Sequence, residues 1–84
     1  MNMTKARILK VLEKDNKTPK AHHRWNRDIE YCREMILLHR PAMLFYDNYT
    51  KVTRTSHVLH IKEDENNLIL ETENSIYYIK KITE

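Results

Sequence analysis

At 84 residues the chain has room for one domain around one small core. Glycine is absent and proline occurs twice, which excludes glycine-dependent phosphate loops and dinucleotide fingerprints and leaves the turns to Asn, Asp and Ser. The formal charge of +3 is unevenly spread: residues 1–40 hold ten Lys/Arg against five Asp/Glu, and residues 41–84 hold five against seven. The amino-terminal half therefore attracts polyanions.

Taken in chain order, Thr4 to Lys14 predicts a short helix, because Ile8, Leu9 and Leu12 share one face while Lys5, Lys10 and Lys14 lie off it. Thr18-Pro19 reads as a helix start, a hydroxyl cap followed by proline at the first helical position. From there Trp25, Ile29, Cys32 and Ile36 follow the i, i+4, i+7, i+11 spacing, widened by Met35 and Leu38. The spacing predicts a long helix over 19–39 that stops before Pro41.

Ala42 to Tyr46 reads as a first strand, followed by turn chemistry at Asp47-Asn48. Segment 51–62 reads as a long second strand. Neither of its faces is cleanly apolar before Val58, so it is expected to bend, as a small barrel requires. Lys62 to Asn67 is a hairpin loop, Leu68-Ile69-Leu70 a third strand, and Ile76 to Ile79 a fourth. The expected fold class is α+β: two amino-terminal helices packed on a small, bent antiparallel sheet or partial SH3/Sm-like barrel. One domain spans 1–84, helical and basic over 1–40 and β-rich over 41–84.

The segment Lys17 to Arg27 carries four full positive charges and two histidines with no acid. Cations at a helix amino-terminus oppose the macrodipole, so an external anion is the reason to place them there. Lys17, Lys20, Arg24 and Arg27, supported by His23 and Arg54, are the expected contacts to nucleic-acid phosphates. A protein partner would instead meet Glu63, Asp64 and Glu65 together with Tyr77. Those acids read first as a solvated turn, and adjacent Tyr77 and Tyr78 place one ring outward.

Nothing points to catalysis. Cys32 lies mid-stripe and reads as a buried thiol. His22 and His23 diverge, His57 and His60 face opposite sides of a strand, and one cysteine fits no zinc spacing. No catalytic residue, metal or cofactor is expected. A single cysteine, with no signal-like apolar run, also predicts a cytoplasmic setting without membrane contact.

Met43-Leu44-Phe45-Tyr46-Asp47, His57-Val58-Leu59-His60-Ile61, Leu68-Ile69-Leu70 and Ile76-Tyr77-Tyr78-Ile79-Lys80-Lys81-Ile82 carry a resemblance, over about half the chain, to YolD-like proteins. More generally the segment resembles Sm-like and SH3-like small barrels. The resemblance implies a small non-enzymatic protein tied to mobile elements and translesion polymerases. In composition the chain is also similar to phage-encoded regulators and host-defence inhibitors. The expected function is a nucleic-acid-binding accessory or regulatory protein of phage or mobile-element origin, with DNA or RNA as partner. The alternative is a phage-type inhibitor of a host protein such as a defence or CRISPR effector. Edge tyrosines and methionines leave a homodimer open in either case.

Overall fold

The computed structural model describes residues 2–82, and the strands account for most of them. They are β1 (Thr4–Leu12), β2 (Pro19–Lys20), β3 (Arg27–Tyr31), β4 (Pro41–Tyr46), β5 (Lys51–Glu63), β6 (Asn67–Thr72) and β7 (Ile76–Lys81). All pairings are antiparallel. β3, β4, β5, β6 and β7 follow one another around a sheet, and β1 pairs with β3 along one edge and β7 along the other. The sheet thus closes into a six-stranded barrel, while two-residue β2 lies beside the end of β1. Closure removes the two long edges that an open sheet of these strands would expose.

The expected α+β class is overturned. Among the described residues the helical elements are two three-residue 3₁₀ turns, His22–Arg24 and Arg33–Met35. The predicted helix over 4–14 is β1. In it Ala6 and Ile8 point inward between Lys5, Arg7 and Leu9, and a bulge between Ile8 and Lys10 shifts the register so that Val11 and Leu12 are buried again. A bulged strand spaces its inward residues three or four apart across the bulge, which is also the spacing of a helix face.

The predicted long helix over 19–39 is β2, a 3₁₀ turn, β3 and a second 3₁₀ turn. Its stripe does mark interior positions: Ile29, Cys32 and Ile36 are buried and Trp25 packs against the core. The steps from Trp25 to Ile29 and from Cys32 to Ile36 are both of four, an even number, and satisfy a strand as well as a helix. The deciding step is Ile29 to Tyr31, two residues apart and both inward, with Asp28 and Glu30 between and beside them facing out or part-covered. Thr18-Pro19 is not a helix cap. Asp15 closes that turn, its Oδ1 accepting from the amides of Lys17 and Thr18 at 2.9 Å each.

The carboxy-terminal half follows the expected strand order. β5 bends where its ladder with β6 shifts between Val58 and His60. Buried and half-buried hydroxyls flank the bend: Thr55 Oγ1 accepts from the Ala42 amide at 2.9 Å, and half-buried Ser56 donates through Oγ to Thr72 Oγ1 at 2.9 Å. The interior is lined by Ile8, Leu44, Val58, Leu68, Leu70 and Ile79, all at or near complete burial. Tyr31 is also fully enclosed, its hydroxyl without a hydrogen bond of good geometry, and burial raises its pKa above the ordinary phenol value.

With no glycine, the tight turns use other residues in left-handed geometry. Asn16, Asn26, Asp47 and Asn48 are the polar residues that tolerate it. Ala21 and Tyr49 are not, and each carries a steric cost of about 1–2 kcal/mol that the surrounding barrel must offset. Closure is weakest between β3 and β4, which share one register pair, Glu30 with Phe45. Residues 32–40 cross that seam as the connection between the two strands.

Candidate nucleic-acid interface

The absence of a helix over 19–39 removes the dipole argument for a phosphate seat, and the predicted basic set is dispersed. Lys20 Nζ donates to the Asn74 carbonyl at 2.8 Å. Arg24 Nη1 donates to the Tyr77 hydroxyl at 3.0 Å, and the Arg27 guanidinium stacks over the Tyr46 ring at 4.1 Å. His23 is exposed on the first 3₁₀ turn, and its carbonyl accepts from Arg27 at 3.3 Å. Arg54 stands on the outer face of β5, beside Met43 of β4. Lys17 is exposed in the turn after β1.

A different cationic surface is built by the closure of the barrel. Register places Lys10 of β1 beside Tyr78 of β7, Tyr78 beside Ile69 of β6, and Ile69 beside Lys62 of β5. The inward residues of these strands are Val11, Tyr77, Ile79, Leu68 and Leu70, so this row runs across the outer face. The tyrosine and isoleucine at its centre are half-buried and the lysines at its ends exposed. Lys10 Nζ sits 4.7 Å above the Tyr78 ring, and the Tyr78 hydroxyl donates to Asn16 Oδ1 at 2.5 Å. That bond draws the β1–β2 turn, with Lys17 in it, toward the ring.

The acids bordering the row are neutralised internally. Glu71 is paired with Lys14 at 2.7 Å, a hydrogen bond that lowers its pKa, and Asp28 is paired with Arg7 at 2.7 Å. The flanking row adds Lys80, which makes no side-chain hydrogen bond or ion pair among the described residues. The surface therefore presents a central aromatic ring with ammonium groups on both sides and no unpaired acid in the row.

The acidic loop is built differently from a free anionic patch. Asp64 Oδ1 accepts from the amides of Asn66 and Asn67 at 2.8 Å each, which lowers its pKa and closes the β5–β6 turn. Glu63 bridges Arg33 at 3.0 Å and Lys81 at 2.8 Å, tying the β3–β4 connection to β7. Glu65 is exposed. Tyr77 is 3 % exposed with its hydroxyl held by Arg24, so its ring belongs to the interior and Tyr78 is the outward member of the pair.

The hydrogen bond from Lys81, with a further contribution from Arg33, holds the Glu63 carboxyl below the ordinary glutamate range. A lowered folded pKa means that the native state binds fewer protons than the unfolded one. The stability from this group is complete above the ordinary glutamate value and is lost as pH falls through the lowered one. Glu63→Gln is expected to cost about 1 kcal/mol at neutral pH and nothing at a pH low enough to protonate the carboxyl in the folded state. Urea unfolding at the two pH values reads the difference directly. An equal loss at both would show that packing, and not the ion pairs, gives Glu63 its role.

Set against known proteins, the chain matches no family model, no curated protein and no solved structure to a significant degree. What stands is the architecture, a small antiparallel barrel. No helix among the described residues is long and apolar enough to cross a membrane. No three His, Cys, Asp or Glu side chains among them gather at metal-binding distance, and the Cys32 thiol is buried.

Part of the outer row is readable in the sequence. Alternation requires one of the adjacent Tyr77 and Tyr78 to face outward; Tyr77 is the one expected at a partner surface, and the structure buries it and turns Tyr78 outward. Lys10 could not be added, because a helix over 4–14 leaves no strand to pair with β7.

Proposed function

We propose that the protein binds single-stranded nucleic acid on the outer face of β1, β7, β6 and β5, as a small accessory or regulatory protein of the cytosol. The observation that carries this reading is the row Lys10–Tyr78–Ile69–Lys62, an aromatic ring flanked across strands by two ammonium groups. A base stacking on Tyr78 replaces the Lys10 ammonium over the ring, and that ammonium then meets the adjacent phosphate. Ile69 supplies an apolar surface for the next base. A duplex offers no exposed base face to this ring, so the chemistry favours single strands. The YolD-like likeness of β4 to β7, with its link to mobile elements, belongs to the same proposal and is supported by strand order alone.

The test is fluorescence anisotropy with labelled single-stranded DNA, RNA and duplex DNA over a salt series. Single strands are expected to bind more tightly than duplex, with affinity falling as salt rises. Tyr78→Ala should weaken single-strand binding by roughly ten-fold or more, in line with about 1–3 kcal/mol per stacked base, and leave the salt slope unchanged. Tyr78→Phe, which keeps the ring and loses only the bond to Asn16, should bind nearly as the parent. Duplex preference, or full affinity in Tyr78→Ala, would refute the reading.

A further inference from the structure

A second surface lies elsewhere on the barrel, at the weak seam between β3 and β4. The connection over 32–40 stands away from β4 and leaves a groove of about 340 Å³. Its apolar lining comes from Met35, Ile36, Leu37, Pro41, Met43 and Phe45. Ile36 is buried and anchors the connection, but Met35, Leu37 and Met43 are 51 %, 47 % and 41 % exposed. Leu38 on the connection and Val52, opposite Phe45 on β5, carry exposed apolar area beyond the groove itself. Exposed apolar area that runs past the volume of the groove suits a macromolecular occupant better than a small molecule.

Two further features narrow the occupant. First, β4 is paired with β5 on one side, but on the other its only strand register is Phe45 with Glu30. Pro41 to Leu44 therefore have no strand neighbour on the groove side. A barrel edge left open in this way accepts an added strand, with backbone hydrogen bonds for affinity and side-chain pockets for specificity. Second, Arg40 and Arg54 stand on the groove, and their guanidinium groups make no hydrogen bond or ion pair among the described residues. Glu34 is the one acid of the lining. The groove is thus apolar in its floor and cationic at its rim.

We propose that this groove docks an extended segment of a partner protein that carries an apolar side chain next to one or more carboxylates. The apolar side chain enters between Met35, Leu37 and Met43. The carboxylates meet Arg40 and Arg54, and the backbone of the segment lies along the open side of β4. The surface is separate from the Lys10–Tyr78 face, so it stands whether or not the protein binds nucleic acid.

The experiment selects peptides from a phage-displayed library of random dodecapeptides against the full chain, then maps the best one by ¹⁵N–¹H chemical shifts. The expected consensus pairs Leu, Phe, Trp or Met with Asp or Glu, and the expected shifts fall on Met35, Leu37, Met43 and Arg54. Arg40→Glu with Arg54→Glu, both on the surface, should weaken that peptide at least ten-fold while the spectrum stays folded. Met43→Asp should do the same through the floor. A basic or uncharged consensus, shifts centred on Tyr78, or no enrichment would each overturn the proposal. So would shifts at these groove residues that grow with protein concentration alone, which would assign the groove to a second copy of the chain.

Discussion

Reversing Lys10 and Lys62 together, as K10E with K62E, is expected to lower single-strand affinity by about two orders of magnitude at low salt, the largest effect on binding that the proposed face allows. Each ammonium stands one strand away from the aromatic–aliphatic centre of the row, so a strand stacked on Tyr78 and Ile69 carries its phosphates past both. Reversal exchanges two attractions for two repulsions. It should also reduce the steepness of the salt dependence by about 1.4, because a single strand contributes about 0.7 per neutralised phosphate. Tyr78→Ala instead lowers affinity with no change of slope, which separates stacking from charge. The net charge also falls by four, and that weakens attraction to any polyanion from any surface. K51E with R40E makes the same change away from the row and is the control. If the control loses as much affinity as K10E with K62E, binding is diffuse and the row is not a site.

The same residues show how far the sequence could be read. The β half was legible because its strands are short apolar or β-branched runs and its turns are marked by Asp47-Asn48, Asp64 to Asn67 and Glu73-Asn74. There the residues name the strand, but not which of Tyr77 and Tyr78 faces out. The amino-terminal half was not legible, since its apolar residues fall at offsets that a helix and an interrupted strand share. Ile8 and Val11 are three apart because of a bulge, and Cys32 and Ile36 lie four apart across a 3₁₀ turn. Local propensity tips the balance the wrong way, as Lys, Arg, Leu and Glu favour a helix over both segments. What overrode it is tertiary: β1 is needed to close the barrel, burying Ala6, Ile8 and Val11 against β3 and β7. Closure also decided the candidate site. Of the charged cluster contiguous in sequence, Lys20, Arg24 and Arg27 were taken up by internal partners, whereas Lys10, Tyr78 and Lys62, remote in sequence, line up in one cross-strand row.

Ile8→Ala compared with Leu9→Ala tests that closure through stability. On a helix over 4–14 both residues belong to the buried face, and truncating either one should cost a similar amount. In the barrel they face opposite ways. Ile8 is fully buried, opposite Arg27 of β3 on one side and Ile79 of β7 on the other, whereas Leu9 is 40 % exposed beside the bulge. Removing the Ile8 side chain leaves a cavity between the first and last strands and is expected to cost about 2–5 kcal/mol. A chain of this length has a total stability of about 4–12 kcal/mol, so the variant stands at or near the limit of folding. Leu9→Ala should cost about 0.5 kcal/mol or less, as for other surface substitutions. Urea denaturation followed by Trp25 fluorescence measures both. Should Ile8→Ala be too unstable to purify, Ile8→Val removes one methylene, is expected to cost about 0.5–1.5 kcal/mol, and keeps the comparison readable. Equal losses at positions 8 and 9 would argue for a helical face and against β1 as the strand that closes the barrel; a large loss confined to Ile8 is what the inward and outward alternation of β1 requires.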